Sequence, residues 1–404
     1  MISRQELLDL ATDFGLAPNV IEKDYALGWL LAGLGRHPVT RDTWLFKGGT
    51  CLKKCFFETY RFSEDLDFTL RDPAHLDEAF LGTLFQEIAD WTYDQTGLVL
   101  PPEARKVQVY DNPRGGRSAE GRIGYRGPLG RVGDAPRVKL DLTDDERVVL
   151  ASDRREVHHP YSDRPADGIQ VTTYRFEEVF AEKVRALAER LRPRDLYDVV
   201  HLYRRRELEP NRSKAVDTLR QKCDFKGIPV PTLESISASP LAGELQVAWG
   251  QMLGHQLPEL PSFESFWSEL PEVFAWLFEA RPRIELPAIT VPAAGAIDES
   301  WRPPAMGTSW RSFGILAPLE VVRFAAANRL CVELDYRAET GRRSMRTIEP
   351  YSLRRSSAGK LLLFGVKADT GELRSYRVDR IIGATATRRS FAPRFAVELT
   401  DMSF

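Results

Sequence analysis

Cysteine is scarce in this 404-residue chain, with four in all, Cys51, Cys55, Cys223 and Cys331. None forms a CxxC pair, which argues against a disulfide framework and against a zinc site. No apolar run approaches membrane-spanning length. The first residues, MISRQELLDL, read as the start of an amphipathic helix with no signal-peptide core, so the expected location is the cytoplasm. Net charge is close to nil, −2, but unevenly spread. From Arg311 to Phe404 there are 17 basic and 10 acidic residues, a surplus of seven, which leaves −9 for residues 1–310. Such asymmetry suggests a surface for a polyanion, although an arginine-rich unit that binds nothing has the same composition. What is present is ordinary for a soluble globular protein of two or three domains, with 43% hydrophobic and 28% charged residues.

The chain is organised around Lys47–Leu70, KGGTCLKKCFFETYRFSEDLDFTL. Gly48 and Gly49 can take positive φ and admit a ligand close to the backbone, and Thr50 can cap the helix that follows. Cys51 and Cys55, four residues apart beside Leu52 and Phe56, fit the buried stripe of that helix. Such a turn aims free amides at an anion. Glu64–Leu70 then alternates, with Asp65, Asp67 and Thr69 on one face of a strand and Leu66, Phe68 and Leu70 on the other. Two like charges so placed disfavour each other's ionisation, which makes most sense with a divalent cation between them. Alone, a Gly-Gly fits a plain turn and DLDF a solvated sheet face. Their combination resembles the first motif of the DNA polymerase β nucleotidyltransferase superfamily, and more closely the AbiEii type of nucleotidyltransferase toxin, over roughly residues 1–280.

Other stretches take their places around this one. Residues 3–35 read as two helices broken near Gly15 and Pro18. Pro73–Tyr93 reads as a helix, followed by strands through Val107, Tyr110, Ile123 and Tyr125 that flank a basic loop, Asn112–Gly121, with Arg114 and Arg117. That loop fits a flexible hairpin tip, and also RNA or triphosphate. Arg137–Thr143 alternates again, placing Lys139, Asp141 and Thr143 on its polar face. The resemblance makes Asp141 the third carboxylate, a metal ligand or the base that accepts the proton of an attacking hydroxyl. On the helix expected from Phe176 to Leu191, Lys183 shares the apolar stripe of Phe176, Val179, Phe180 and Leu187. An inward lysine is costly without an anion, while snorkelling to the surface is the plain alternative. AbiEii-like proteins carry a Glu-Lys here, matched by Glu182-Lys183, which implies that Lys183 holds a nucleotide phosphate. Arg194-Asp195-Leu196-Tyr197-Asp198 resembles the family's last motif, with Arg194 for the usual lysine; an Arg194–Asp198 pair would account for two of these residues structurally. Lys183–Arg206 holds eight basic residues against three acidic ones, which suits triphosphate or an RNA backbone.

A Pro/Ala/Gly-rich stretch, 281–310, marks a linker. Beyond it, a helix around Leu319–Asn328 precedes short strands at Cys331–Tyr336, Arg346–Leu353, Lys360–Val366 and Leu373–Val378, whose spacing suggests a small barrel. Residues 319–390 resemble a WYL domain, with Leu361-Leu362-Leu363 in place of Trp-Tyr-Leu. That resemblance implies a ligand surface at Tyr336, Tyr351, Arg374, Arg377 and Arg380. Arg374 and Arg377 cannot share a strand face, so one cluster of all three arginines requires a bend.

The expected fold class is α+β: a polymerase-β-like core with a mixed sheet over 1–175, a helical region completing the site over 176–280, the linker, and a basic WYL-like barrel over 311–404. The resemblance implies a Mg²⁺- or Mn²⁺-dependent nucleotidyltransferase, a toxin of a toxin–antitoxin or phage-defence system. Asp65, Asp67 and Asp141 would bind metal. Gly48, Gly49, Thr50, Ser63, Lys183 and Arg194 would hold the NTP, and Asp195 would assist catalysis. The implied acceptor is RNA, with the 3′ end of tRNA as one candidate, and the implied partners are a cognate antitoxin and a nucleic acid or nucleotide at the C-terminal domain, with no membrane. Transfer to a protein or a small molecule, or a non-catalytic sensor on the same fold, are the alternatives.

Overall fold

The computed structural model describes residues 1–14, 16–57, 61–112, 115–205, 208, 210–289, 297–298, 301 and 316–399. Gly15, Arg114, Arg206 and much of the expected linker lie outside them. The chain divides into two compact units, Met1–Glu189 with Pro210–Pro231, and Arg190–Glu209 with Thr232–Phe404. The helical region expected over 176–280 is thus shared between the two.

In the first unit, helices α1 (Arg4–Phe14) and α2 (Pro18–Arg36) lead into strand β1 (Trp44–Lys47) and a short helix, α3 (Gly48–Cys51), which continues as one π-helical turn through Leu52–Phe56. Cys51 and Cys55 are buried and free there, as the spacing required. Strand β2 (Asp65–Leu70) is followed by helix α4 (Glu78–Thr96), then β3 (Arg105–Asp111), β4 (Arg117–Gly124), β5 (Arg137–Thr143), β6 (Asp153–Glu156), β7 (Gln170–Thr173) and helix α5 (Phe176–Arg190). The helix expected from Pro73 begins later because Asp77 caps it, its carboxylate accepting from the Phe80 amide at 2.9 Å. Gly97, at φ 76°, ends it. The expected basic loop is also shorter than the composition suggested. Residues 117–124 pair one for one with β3 and β5, so Arg117 is part of a strand, on the face opposite Ser118 and Glu120.

Seven strands form a mixed sheet in the order β3-β4-β5-β2-β1-β7-β6, with β2/β5 and β1/β7 parallel. One face carries Trp44, Phe46, Leu66, Phe68, Leu140 and Leu142, all buried. Trp44 packs on Phe68 and on Phe85 of α4, with ring centroids 5.6 and 6.4 Å apart. Burying each such side chain contributes about 1.5–3 kcal/mol, which fixes the register. A slip by one residue would turn every aspartate of β2 into this core.

In the second unit, helix α6 (Pro193–Arg204) is followed, after helix α7 (Arg212–Lys226) of the first unit, by α8 (Leu233–Ser237), α9 (Ala242–Leu253), α10 (Phe263–Trp267), α11 (Leu270–Phe278) and α12 (Leu316–Ala327). Trp249 is core, its indole donating to the Pro261 carbonyl at 2.8 Å, whereas Trp267 is half-buried. Strands β8 (Leu330–Arg337), β9 (Arg343–Arg355), β10 (Leu361–Lys367), β11 (Leu373–Arg377) and β12 (Ile381–Ser390) pair antiparallel in the order β11-β10-β9-β8-β12. The expected barrel is therefore an open sheet. Closure would need the edge strands β11 and β12 to pair; instead α12 packs along β8, β9 and β12 and covers one face. Ile289, from the expected linker, is buried in the core of this sheet with Tyr351, Phe364 and Val366.

Candidate active site

β2 pairs residue for residue with both its neighbours. Asp67 lies opposite Lys47 of β1 and opposite Asp141 of β5, which in turn lies opposite Glu120 of β4. One row across the sheet thus reads Glu120, Asp141, Asp67, Lys47. The adjacent row, two residues along, reads Arg122, Lys139, Asp65. Side chains in register share a face, so the three expected carboxylates stand on the face opposite the apolar core.

Asp67 keeps a partly exposed carboxyl, yet protein surrounds it closely. Burial, and then the negative charge of Asp141, push its pKa up to about 6, against the pull of Lys47 and Lys183. Asp141 accepts from Lys139 at 2.8 Å, and Lys139 also stands 3.5 Å from Glu120. Among the described residues the acidic side chains do not make a ready-made group of three metal ligands. The donor set nevertheless suits a hard divalent cation: Asp67 and Asp141 are lateral neighbours whose mutual repulsion raises Asp67, and that is the repulsion such a cation removes.

Gly48 covers Asp67. Its φ is 78°, and a Cβ built there would lie 2.0 Å from Oδ2 of Asp67, so the position requires glycine on both counts. At Gly49 a Cβ would come 2.7 Å from the guanidinium of Arg61 and 3.0 Å from the Ser63 hydroxyl. The two glycines thus bring backbone against Asp67, Arg61 and Ser63. Thr50 does not cap the helix. It is the third helical residue, and its hydroxyl donates to the Asp65 carbonyl at 2.5 Å, tying the turn to β2.

Lys183 faces inward rather than snorkelling to the surface, 8% exposed, with its charge acting on Asp67. Its neighbour Glu182 has a different task. It holds Lys47 at 3.3 Å and Lys222 of α7 at 3.4 Å. Lys47 also lies 3.8 Å from Glu146, and Lys226 bridges Glu146 and Asp145 at 3.3 and 3.4 Å. Burial disfavours charge on Lys47, but Glu182, then Tyr174, Glu146 and Asp67 hold its pKa well above the usual lysine range. A buried ionic network thus lies behind Asp67, and Tyr174 closes it with a 2.6 Å hydrogen bond to Thr69.

Asp195 and Arg194 fall in the other unit. Asp195 is fully buried and accepts a bidentate pair from Arg190, both contacts 2.7 Å, so its carboxylate anchors the head of α6 rather than standing open. In the C-terminal sheet, Tyr351 is wholly buried, its hydroxyl donating to Glu349 at 2.9 Å, which makes it core and not ligand surface. Tyr336 is half-buried, and its hydroxyl accepts from the Arg377 amide at 3.2 Å. Arg374, Arg377 and Arg380 are paired with Glu372, Asp379 and Glu339 respectively. The bend that a joint cluster needs does follow β11, as a 3₁₀ turn at Val378–Arg380, but the three charges are already met.

Lys47, Lys139 and Glu120 are site residues that sequence reasoning passed over. A signal existed for two of them: Lys47 directly precedes Gly48, and Lys139 stands two residues before Asp141 on the same strand face. Glu120 had none, since only the pairing of β4 with β5 brings it in.

A family model described as Nucleotidyl transferase AbiEii toxin, Type IV TA system, matches residues 29–280, and a WYL domain model matches 318–386. Among solved structures, MenT4, a nucleotidyltransferase toxin from Mycobacterium tuberculosis, is similar at 18% identity over 69% of this chain and 90% of its own, with a TM-score of 0.47. The proteasome accessory factor B/C of Arthrobacter aurescens is similar at 18% identity over 54% of this chain and 32% of its own, with a TM-score of 0.18. No curated protein matches the chain. No helix among the described residues is long and apolar enough to cross a membrane. The match over 29–280 covers more than half of the sequence and spans the glycine turn, the three aspartates and Lys183: the chain belongs to the AbiEii nucleotidyltransferase toxin family and carries a WYL domain.

Proposed function

We propose that the protein transfers a nucleoside monophosphate from an NTP to the 3′ hydroxyl of an RNA, releasing pyrophosphate, and that a cognate antitoxin restrains it. The observation that carries this reading is the row Asp141–Asp67–Lys47 beneath Gly48. Carboxylates and cations meet there on a sheet face to which glycine gives backbone access.

The chain's own residues supply most of what the reaction needs. The attacking hydroxyl oxygen forms a bond to the α-phosphorus as the bond to pyrophosphate breaks. Asp141, half-exposed, would take the hydroxyl proton once Lys139 lets go of it. Lys183 brings positive charge beside Asp67, where the triphosphate's negative charge must be met, and the backbone at Gly48 and Gly49 lets phosphate approach with Ser63 alongside. Asp65, Asp67 and Asp141 would hold Mg²⁺ or Mn²⁺, which when bound neutralises phosphate charge and acidifies the nucleophile. The family's description as a type IV toxin–antitoxin toxin supports the antitoxin, and the WYL match supports nucleic-acid binding by the C-terminal domain.

The test is incubation with α-labelled NTPs, total RNA and Mg²⁺, followed by digestion. Label that RNase removes and protease spares is the expected result, and Asp67→Ala should abolish it in a protein that still unfolds cooperatively and at no lower temperature, because Asp67 lies off the apolar core. Label that only protease removes would move the acceptor to protein. A fully active Asp67→Ala would refute the carboxylate assignment.

A further inference from the structure

The sheet face that bears the aspartates does not end at β5. Over β1 and the C-terminal half of β2 it is closed by Tyr174 and the ionic network of α5 and α7, but over β3, β4 and β5 it stays open. Register carries the row of Lys139 outward to Arg122 and Lys106, and the row of Asp141 outward to Glu120 and Gln108. Tyr110 follows on the same face of β3, 45% exposed. Arg137, two residues before Lys139, shares the face and is exposed. The opposite side of these strands, with Ala119, Ile123, Val138, Leu140 and Leu142, is core. Three strand spacings separate β3 from β2, about 14 Å.

The charges on this face are unequal in availability. Glu120 accepts from Arg122 at 2.7 Å and, with Asp141, occupies Lys139, so these two cations are already partly spent. The side chains of Lys106 and Arg137 make no hydrogen bond or ion pair among the described residues.

We infer that the open face of β3–β4–β5 is the acceptor platform: a single-stranded RNA 3′ end lies across it, phosphates on Lys106 and Arg137, a base on the ring of Tyr110, and its last hydroxyl delivered to the row of Asp141 and Asp67. Two features favour a nucleic acid strand over a protein acceptor. Cations at one end of the face, Arg137 and Lys106, with an exposed aromatic, Tyr110, at the other are what a single strand needs for backbone attraction and stacking, whereas this face offers no apolar patch on which a protein could anchor. It is also continuous with the reacting row, as an acceptor-binding surface must be. This inference rests on the RNA-acceptor reading above.

The experiment measures binding of the full chain to a fluorescent single-stranded RNA and to each NTP, as a function of salt. Lys106→Glu with Arg137→Glu should weaken RNA at least about tenfold and lower the slope of log affinity against log salt by about one or more, since each lost single-strand phosphate contact removes about 0.7. NTP binding should not change. Tyr110→Ala should weaken RNA by about tenfold with the salt slope kept, as loss of a stacked base does. The milder Lys106→Gln with Arg137→Gln, on exposed positions, guards against a folding artefact and should show a smaller loss in the same direction. Unchanged RNA affinity and slope in both charge variants, with wild type binding RNA, would overturn the platform alone. Wild type that fails to bind RNA while binding NTP would overturn the RNA-acceptor reading and the platform with it.

Discussion

At the scale of single residues, Asp67 has its pKa pushed up to about 6 by burial and by Asp141. Its folded-state pKa lies above the ordinary aspartate value near 3.9, so the folded protein binds the extra proton more readily than the unfolded chain. Stability without metal is therefore favoured by this group at low pH and falls as pH rises through the window from about 4 to 6. Asp67→Asn removes the effect. In EDTA, chemical unfolding at pH 7 should find Asp67→Asn more stable than wild type by on the order of 2 kcal/mol, with the gap closing by about pH 4. An equal gap at both pH values would mean that the aspartate is not strained in the empty site. The residue was legible in the sequence because the alternation of DLDF is local. Lys47, whose charge opposes the rise, was marked only by its place before Gly48, because its meeting with Asp67 depends on the pairing of β1 with β2 across the intervening helix.

At the scale of elements, α5 and α7 are fastened over the aspartate face of the sheet, at β1, by buried ions rather than by an apolar stripe alone. Glu182 is the hub between Lys47 and Lys222. Burial disfavours its charge, but Lys47, then Lys222, Arg185 and Lys183 hold its pKa well below the usual carboxylate range. A depressed carboxylate stabilises above its unfolded pKa and loses that contribution as pH falls towards the folded value. Glu182→Gln takes one carboxylate from two buried lysines that keep Glu146 at 3.8 Å and Glu178 at 3.1 Å, so it should cost about 1–3 kcal/mol at pH 7, and the deficit should shrink as the solution is acidified below the glutamate range. Urea denaturation at pH 7 and near pH 2.5 reads both effects, and a loss under 1 kcal/mol at pH 7 would demote the network to a solvated cluster. In the sequence, Glu182 was visible only as the companion of Lys183. Helix spacing shows which way a side chain points and says nothing of the lysines that α7 brings to it. The same limit applied to the C-terminal strands: four were legible from their spacing as short runs, but β12, whose centre Gly383-Ala384-Thr385-Ala386-Thr387 offers only small side chains, was not. The choice between barrel and open sheet depends on whether two edge strands meet, which no local pattern encodes.

At the scale of the molecule, the sequence shows a boundary by composition near 281–310, while the compact units follow contacts. Helix α6 joins the second unit through contacts distant in sequence: Glu269 pairs with both Arg204 and Arg329 at 2.7 Å, and the Tyr197 hydroxyl donates to Asn328 at 2.9 Å. The family's last motif is thus partly spent on building that unit, with Asp195 engaged by Arg190 and Tyr197 by Asn328. The first unit keeps the glycine turn, the three aspartates, Lys183 and the open sheet face. The central claim is that this constellation transfers the α-phosphoryl group and not the terminal one. The measurement that meets it most directly follows the same NTP labelled either at the α- or at the γ-phosphate, in the presence of Mg²⁺ and RNA. The account predicts α-label on the RNA and γ-label recovered only as pyrophosphate, in equal amounts. γ-Label on any macromolecule, or γ-label released as free phosphate with no α-label transferred, would contradict it.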